Sequence, residues 1–303
     1  MAWSQVGSDL TYDNLGAVIH SDGSDGDVIF DGSSTILTLA PSSSVYTLTR
    51  DIWPNSITIN SGVTIITAGF CIYSKRTFSN AGTVKCNGND ASGISFGAAF
   101  TSLGTLNVSA GAGAVGRSTT GVGTNGGGSG SNNVSGASSG AGGNADGTNT
   151  GGTNNTTAGP TAAAGSIRDM SFGYKRRLIS ANAFAAPNGG GGGGSGGTNV
   201  GTGTASSGGG GGAAGAVFIS CVNFNNTGTI SANGGAGGNA VATGNGKAGG
   251  GGGGSGGWIW IGCRVALSVG TITVNGGIGG SGIGGGLSGG NGTAGTTVFL
   301  TGN

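Results

Sequence analysis

The sequence predicts an all-β protein. A β-solenoid or β-sandwich-like N-terminal region is expected to lead into a glycine-rich C-terminal region of short strands and packed polyglycine-II helices. The composition supports this class, because the 303 residues include 77 glycines and no glutamate, and strand and turn formers dominate. Short apolar segments also recur beside glycine runs at a constant spacing. Finally, a hydrophobic fraction of 35% argues against intrinsic disorder.

Residues 1–65 form the first predicted unit, a β region for attachment or assembly. The stretches DVIFDGSSTILTL and SITINSGVTIIT alternate aliphatic with polar residues, which is the period of strands with one buried face. Four aspartates lie close together here: Asp22, Asp25, Asp27 and Asp31. Such spacing could supply calcium ligands, but the EF-hand pattern is not met. Asp-Gly pairs are ordinary turn formers, so we interpret the cluster as turns and expect no metal.

Residues 66–116 are predicted to hold β-solenoid repeats. AGTVKCNGND at 81–90 and LGTLNVSAGAG at 103–113 share a pattern of Gly-Thr, alternating apolar residues, and then Asn or Ser before glycine. The pattern is clearer later, as GTISANGG from Gly228 and GTITVNGG from Gly270. Asn-Gly ends each strand because both residues tolerate positive φ.

Residues 117–187 form a segment rich in glycine, serine and asparagine. It ends in a basic and aromatic island at 166–187, which is the strongest recognition candidate because arginine and tyrosine are enriched in binding hot spots. A clamp within or between subunits, or a solvated loop, are the alternatives. The predicted receptor- or partner-binding residues are Arg168, Phe172, Tyr174, Lys175, Arg176 and Arg177.

Residues 188–303 form the regular glycine and strand region. GGGGGGSGG occurs identically at 189–197 and 249–257. A flexible tether would not need a fixed length or sequence, so the repetition favours packed structure. Ordering glycine costs roughly 1–2 kcal/mol of backbone entropy per residue, so only dense backbone pairing can offset it. Extended threefold helices lying side by side supply such pairing. The glycines assigned this structural role include Gly189, Gly192, Gly210, Gly249 and Gly252.

Two residue pairs in the repeats are structural candidates. Trp258 and Trp260 share one face of a strand, where they could bind a sugar or partner if exposed, but the neighbouring isoleucines favour a core role. Cys221 and Cys263 occupy equivalent repeat positions, so stacked strands would bring them within reach of a disulfide. Two small buried side chains are the favoured alternative, because a chain made in a reducing compartment keeps its thiols.

Catalysis has few candidate groups. His20 is the single histidine, and no serine lies in a nucleophile-elbow pattern. A glycosidase needs two carboxylates about 5–9 Å apart, and Asp51, Asp90, Asp146 and Asp169 are the aspartates that could meet. With no glutamate available, we predict that the protein is not an enzyme and needs no cofactor.

The charge and hydropathy of the chain limit its partners. A net charge of +1 argues against nucleic-acid binding. No apolar stretch is long enough to span a membrane, and the opening MAWSQVGSDLTYD does not have the pattern of a signal peptide.

The glycine-rich half, with its GGGGGGSGG runs, AVFISC and WIWIGC strands and NGGAGGNA turns, resembles the glycine-rich domains of bacteriophage receptor-binding proteins, of which the T-even tail-tip adhesins are an example. In that family polyglycine-II helices form a sandwich whose tip loops contact the host. Residues 48–88 also look like a β-helical module of phage fibre proteins.

This resemblance implies a virion protein made in the host cytoplasm, with other virion proteins and a host-surface protein or glycan as partners. A homo-oligomer is expected, with a trimer favoured, since open solenoid ends need capping. Two alternatives remain: a purely structural subunit (a capsid decoration, spike or filament protein) and a polysaccharide-degrading tailspike.

Overall fold

The computed structural model describes residues 21–98, 112–122, 140–152, 196, 198–199 and 202–301. Within these residues the chain forms no helix and its longest strands lie in parallel sheets, which confirms the predicted all-β class. The strands are β1 (Asp27–Phe30), β2 (Val45–Thr47), β3 (Ser56–Ile59), β4 (Thr64–Ile66), β5 (Cys71–Tyr73), β6 (Thr77–Asn80), β7 (Thr83–Lys85), β8 (Thr198–Asn199), β9 (Thr204–Ser206), β10 (Ala216–Asn226), β11 (Thr229–Ser231), β12 (Val241–Thr243), β13 (Lys247–Ala248), β14 (Trp258–Ser268), β15 (Thr271–Thr273) and β16 (Thr296–Thr301).

Two parallel sheets contain most of the strands. The main sheet has the order β1-β3-β6-β10-β14-β16, with β5 also paired to β10. The second sheet has the order β15-β11-β7-β4-β2. Successive passages of the chain therefore add a strand to each sheet, and both sheets contain strands from the start and the end of the described chain.

The main apolar core lies between the inward faces of these sheets. In β3 the residues alternate between half-buried and buried, as strands with one covered face do. In-register pairing aligns Val28 with Ile57, Ile57 with Phe78, and Phe78 with Phe224. The rings of Phe78 and Phe224 stack with centroids 5.4 Å apart. The largest fully buried side chains are Tyr46, Phe30, Phe78, Phe224, Leu48, Ile52, Ile57, Ile59, Ile65, Ile72, Ile219 and Ile230.

The sequence repeat coincides with the strand register. Cys221 pairs with Cys263 in the main sheet, and Thr229 pairs with Thr271 in the second sheet. The asparagines of the Asn-Gly turns reinforce this stacking. Asn87 Oδ1 accepts the Asn233 N–H at 2.8 Å, and Asn233 Oδ1 accepts the Asn275 N–H at 2.7 Å. Each turn therefore binds the backbone of the next one, across 146 positions in the first case and 42 in the second.

The glycine runs at 208–212 and 249–257 are hydrogen-bonded structure. Within the first run, the N–H groups of Gly208 and Gly211 donate to Gly249 and Gly252 of the second run, whereas the intervening N–H groups donate to other segments. A partner that recurs at every third residue is the pattern of an extended threefold chain with neighbours on several sides.

Five described segments surround the run 249–257. Its N–H groups donate to carbonyls of 232–238 and 287–293, and its carbonyls accept N–H groups from 140–143, 208–214 and 277–280. We call these six segments the glycine array. Its close packing requires glycine, because a Cβ on Gly252 or Gly254 would overlap the carbonyl oxygen of Gly140 or Gly212.

Candidate recognition rim of the glycine array

The loops at the end of the glycine array remote from the sheets form a continuous rim. The chain leaves β11, runs through one glycine segment, turns, and returns through the next glycine segment into β14. The turns therefore lie at the opposite end of the array from the strands. We define the rim by residues 117–122, 144–150, 198–199, 202–206, 239–248 and 281–287.

Backbone pairing joins these loops to one another. Thr198 pairs with Gly121 on one side and with Ala248 on the other, and Ala248 also pairs with Ile283. Strands β9 and β12, which are not consecutive in the chain, pair antiparallel beside them. Leu287 N–H donates to the Asn144 carbonyl at 2.7 Å, which connects the last loop to residues 144–150. The rim is thus held by hydrogen bonds to the array and between its own loops.

The outer surface of the rim is mostly uncharged and rich in hydroxyl and amide groups. The Thr204 and Thr243 hydroxyls lie 2.7 Å apart, and the Asn245 amide donates to the Thr202 hydroxyl at 3.4 Å. Four exposed apolar side chains project among these polar groups. The most exposed are Val241 at 60% and Leu287 at 59%, and the others are Val122 and Ile283. Such mixed surfaces suit contacts with sugars or with polar protein surfaces.

Asp146 is the anionic centre of one rim loop. Its carboxylate accepts hydrogen bonds from the Asn199 amide at 2.7 Å and from the backbone N–H groups of Thr148 and Asn149. The Asn199 bond and these N–H groups lower the pKa of Asp146 below its usual value. The carboxylate's contribution to the loop is therefore present above pH 3.8 and is lost as the pH falls through the lower folded-state pKa.

The predicted basic and aromatic island lies outside the described residues, as do Gly189 and Gly192. The other glycines assigned a structural role lie in the array. Gly210 N–H donates to the Ala114 carbonyl, and the Gly249 and Gly252 carbonyls accept N–H groups from Gly208 and Gly211.

Both repeat tryptophans contact an aromatic strip on the outward face of the main sheet. Trp260 is buried and stacks on Phe218 with centroids 4.3 Å apart, while Trp258 is partly buried against the same cluster. The strip continues from Phe218 to Tyr73 and then to Trp53. The rings of Tyr73 and Trp53 stack with their centroids 4.2 Å apart. Its middle members are buried, so this face presents little aromatic surface for a ligand.

The cysteines are buried thiols. Cys221 and Cys263 are neighbours in the strand register, as the repeat predicts, and both are free. Burial raises the pKa of the Cys221 thiol well above its usual value and that of Cys263 to about 11. Both thiols are therefore protonated near neutral pH and are poor nucleophiles.

The N-terminal aspartates stabilise turns and pair with a neighbouring cation. Asp22 and Asp31 accept backbone N–H groups two residues ahead, from Ser24 and Ser33. Asp25 forms an ion pair with Arg50 at 2.6 Å. The carboxylate of Asp27 accepts an amide N–H from Asn55 at 2.7 Å.

The aspartates considered for glycoside hydrolysis are used by the backbone. Asp51 accepts the Cys71 N–H at 2.8 Å, and Asp90 accepts the Ala236 N–H at 2.7 Å. Asp146 has a lowered pKa, the opposite of what a proton-donating acid requires. His20 and Asp169 lie outside the described residues.

The rim residues are the candidate site that sequence reasoning missed. A signal for part of them exists, because NAVATGNGKA at 239–248 interrupts a glycine-rich stretch without forming a strand repeat. Interruptions of this kind mark the turns between packed runs.

No family model, curated protein or solved structure matches this chain. In the part of the chain that the structure describes, no helix has the length and apolarity needed to cross a membrane.

Proposed function

We propose that the chain is a non-enzymatic phage virion protein, a tail-fibre or receptor-binding adhesin that presents its rim loops to a protein or glycan of the host surface. The observation that carries this proposal is the rim itself, a set of exposed loops on a scaffold held by backbone hydrogen bonds. Loops positioned by a rigid scaffold are the usual location of binding residues.

The glycine array supports this role through its geometry. We infer that its runs are polyglycine-II-like, because their hydrogen-bond partners recur every third residue. At about 3.1 Å per residue, a nine-residue run such as 249–257 would extend on the order of 28 Å. The rim would then stand well clear of the sheets and of whatever they assemble with.

The rim chemistry favours recognition over catalysis. Its exposed side chains are hydroxyls, amides, isolated apolar groups and the ammonium group of Lys247. Its one described carboxylate, Asp146, is engaged by Asn199 and by backbone N–H groups. Threonine and asparagine side chains can donate and accept hydrogen bonds, and Val241 and Leu287 supply apolar contact area. A receptor that is itself a polar glycan or a polar protein loop fits this surface.

The test is cell binding by purified protein. Fluorescently labelled protein would be incubated with a panel of bacterial strains that differ in capsule and lipopolysaccharide, and bound fluorescence measured against protein concentration. We expect saturable binding to at least one strain. The double variant Val241→Lys with Leu287→Lys should weaken it at least tenfold, because both side chains project from the rim.

The matched control is Ile29→Lys, which alters an equally exposed apolar residue on β1, in the sheets rather than the rim. It should bind like the wild type. Equal binding by the wild type and the rim variant would refute a receptor-binding rim.

A structural subunit is the second candidate function, and one observation favours it. The outermost strand of the main sheet, β16, leaves an edge that no described strand covers. Absence of binding to every strain, together with incorporation into particles detected by an antibody against the protein, would support this role instead.

A further inference from the structure

Among the described residues, β16 is the last strand of the main sheet and pairs on one side only. Its residues Thr296–Thr301 pair in register with β14 on one side, and no described strand lies on the other. The Thr296 N–H donates to the Gly257 carbonyl. The backbone N–H and C=O groups of Thr296, Val298 and Leu300 therefore face β14. The backbone groups of Thr297, Phe299 and Thr301 consequently point outward from the sheet.

The described part of this edge has no charged residue, proline or covering strand. Its sequence, TTVFLT, contains no charge and no proline, and β-branched and aromatic residues dominate it. Leu300 is 42% exposed, and on the adjacent strand Val265 is 42% and Leu267 66% exposed. Natural sheet edges of this length are normally charged, bulged or covered.

The core is also incompletely covered at this end. In β11, Ile230 is fully buried, whereas its register partner in β15, Ile272, is only partly buried. The row of apolar side chains that is fully buried at β11 is therefore partly exposed at β15.

The opposite end of the stack is closed. There Leu39 is buried and Ile36 and Leu37 pack against the main core, so the turn that contains them covers it. The first strand, β1, also begins with Asp27 and is followed by Asp31. A head-to-tail stack would place these acidic groups against the apolar β16 edge, which disfavours that arrangement.

We propose that the β16 edge is a self-association surface on which a second copy of this chain docks. Two β16 strands meet antiparallel about a two-fold axis and join the two main sheets into one. A copy of the same strand fits because neither β16 strand carries a charge that would repel the other. The outward backbone N–H and C=O groups of each strand also supply the hydrogen-bond partners that the other strand lacks. The exposed side chain of Leu300 adds apolar contact at the joined strands.

The mass of the purified protein in solution tests this directly. Sedimentation equilibrium over a wide concentration range should give a dimer that does not grow further. Thr297→Pro removes an outward backbone N–H and leaves every N–H that donates to β14 in place. Leu300→Lys places a charge at the edge. Each should weaken dimerisation at least tenfold, whereas Ile29→Lys on the opposite edge strand should leave the dimer unchanged.

Residue-resolved amide exchange distinguishes edge pairing from a contact elsewhere. In the wild type, the amides of Thr297, Phe299 and Thr301 should be protected together with those of Thr296, Val298 and Leu300. In Leu300→Lys the outward set alone should exchange rapidly, because the inward set remains bonded to β14.

Four results would overturn the proposal. They are a monomeric wild type, a trimer or an open-ended series of larger species, dissociation caused by Ile29→Lys, or rapid exchange of the outward amides in the wild-type dimer.

Discussion

At the scale of single residues, the turn at Ile36–Leu39 contains local strain. Leu37 and Thr38 have φ of 50° and 67° between two bridged residues, which is the backbone of a two-residue turn that favours asparagine and glycine. A β-branched residue in this region costs about 1–2 kcal/mol. We expect Thr38→Gly to raise the free energy of unfolding by about 1 kcal/mol, measured by urea denaturation.

Thr35→Gly is the matched control for this substitution. Thr35 is equally exposed and lies three residues earlier, but it is not among the residues with positive φ. Glycine there adds only entropy to the unfolded chain, so stability should fall by about 0.5–1 kcal/mol. Equal losses from both substitutions would show that Thr38 is not strained.

Residue-level sequence reasoning predicted the turns of the N-terminal aspartates. The Asp-Gly steps near Asp22 and Asp31 suggest turns, and the carboxylates do accept turn N–H groups. The conformation of Thr38 could not be anticipated, because threonine rarely adopts positive φ and tertiary contacts of Leu37 and Leu39 hold it there.

At the scale of elements, the glycine runs have no side chains, so their close packing depends on contacts between backbones. A Cβ on Gly254 would overlap the Gly212 carbonyl oxygen at the centre of the array. We expect Gly254→Ala to destabilise the fold by about 1–3 kcal/mol or more, because backbone has to move to admit the methyl group. Thermal unfolding followed by circular dichroism would measure the loss.

Gly147→Ala provides the comparison in the rim. A Cβ there meets no heavy atom within 4 Å, and its φ is not positive. This substitution should be neutral or stabilise by up to about 1 kcal/mol through the unfolded state. If the two alanine variants unfold at the same temperature, the runs are not close-packed and a tether becomes the better description.

The repeat made part of the element order predictable. Because AVFISC and WIWIGC recur at the spacing of GTISANGG and GTITVNGG, their strands were expected to stack, and β10 pairs with β14 in that register. The neighbour on the other side of β10 was not foreseen. β5 and β6 occupy that place. Their register partners in β10 lie 147 and 146 positions later in the chain (Cys71 to Phe218, Thr77 to Asn223), and no repeat of constant period connects them.

At the scale of the whole molecule, sheets and array are built from the same passages of chain. The Gly257 N–H donates to the Ala232 carbonyl, and the next residue, Trp258, donates to Gly215, so the hydrogen-bond network continues without a break from array to sheet. This continuity explains why composition could predict the fold class but not the rim. The rim depends on which runs become neighbours, and glycine carries no side chain to specify that choice.

The same continuity predicts that array and sheets unfold together. Three of the four tryptophans, Trp53, Trp258 and Trp260, lie in the aromatic strip of the main sheet, so their fluorescence reports on the sheets. Amide exchange of Gly250, Gly251 and neighbouring residues reports on the array, where these N–H groups donate to other runs.

In a urea series, both signals should change at one midpoint, because hydrogen bonds continue from the array into the sheets. Gly254→Ala should move both midpoints by the same amount, although the substitution lies in the array alone. Loss of glycine protection at a lower urea concentration than the fluorescence change would instead mean that the array opens independently of the sheets. The rim would then stand on a flexible support, and a preformed binding surface would no longer be a sound expectation.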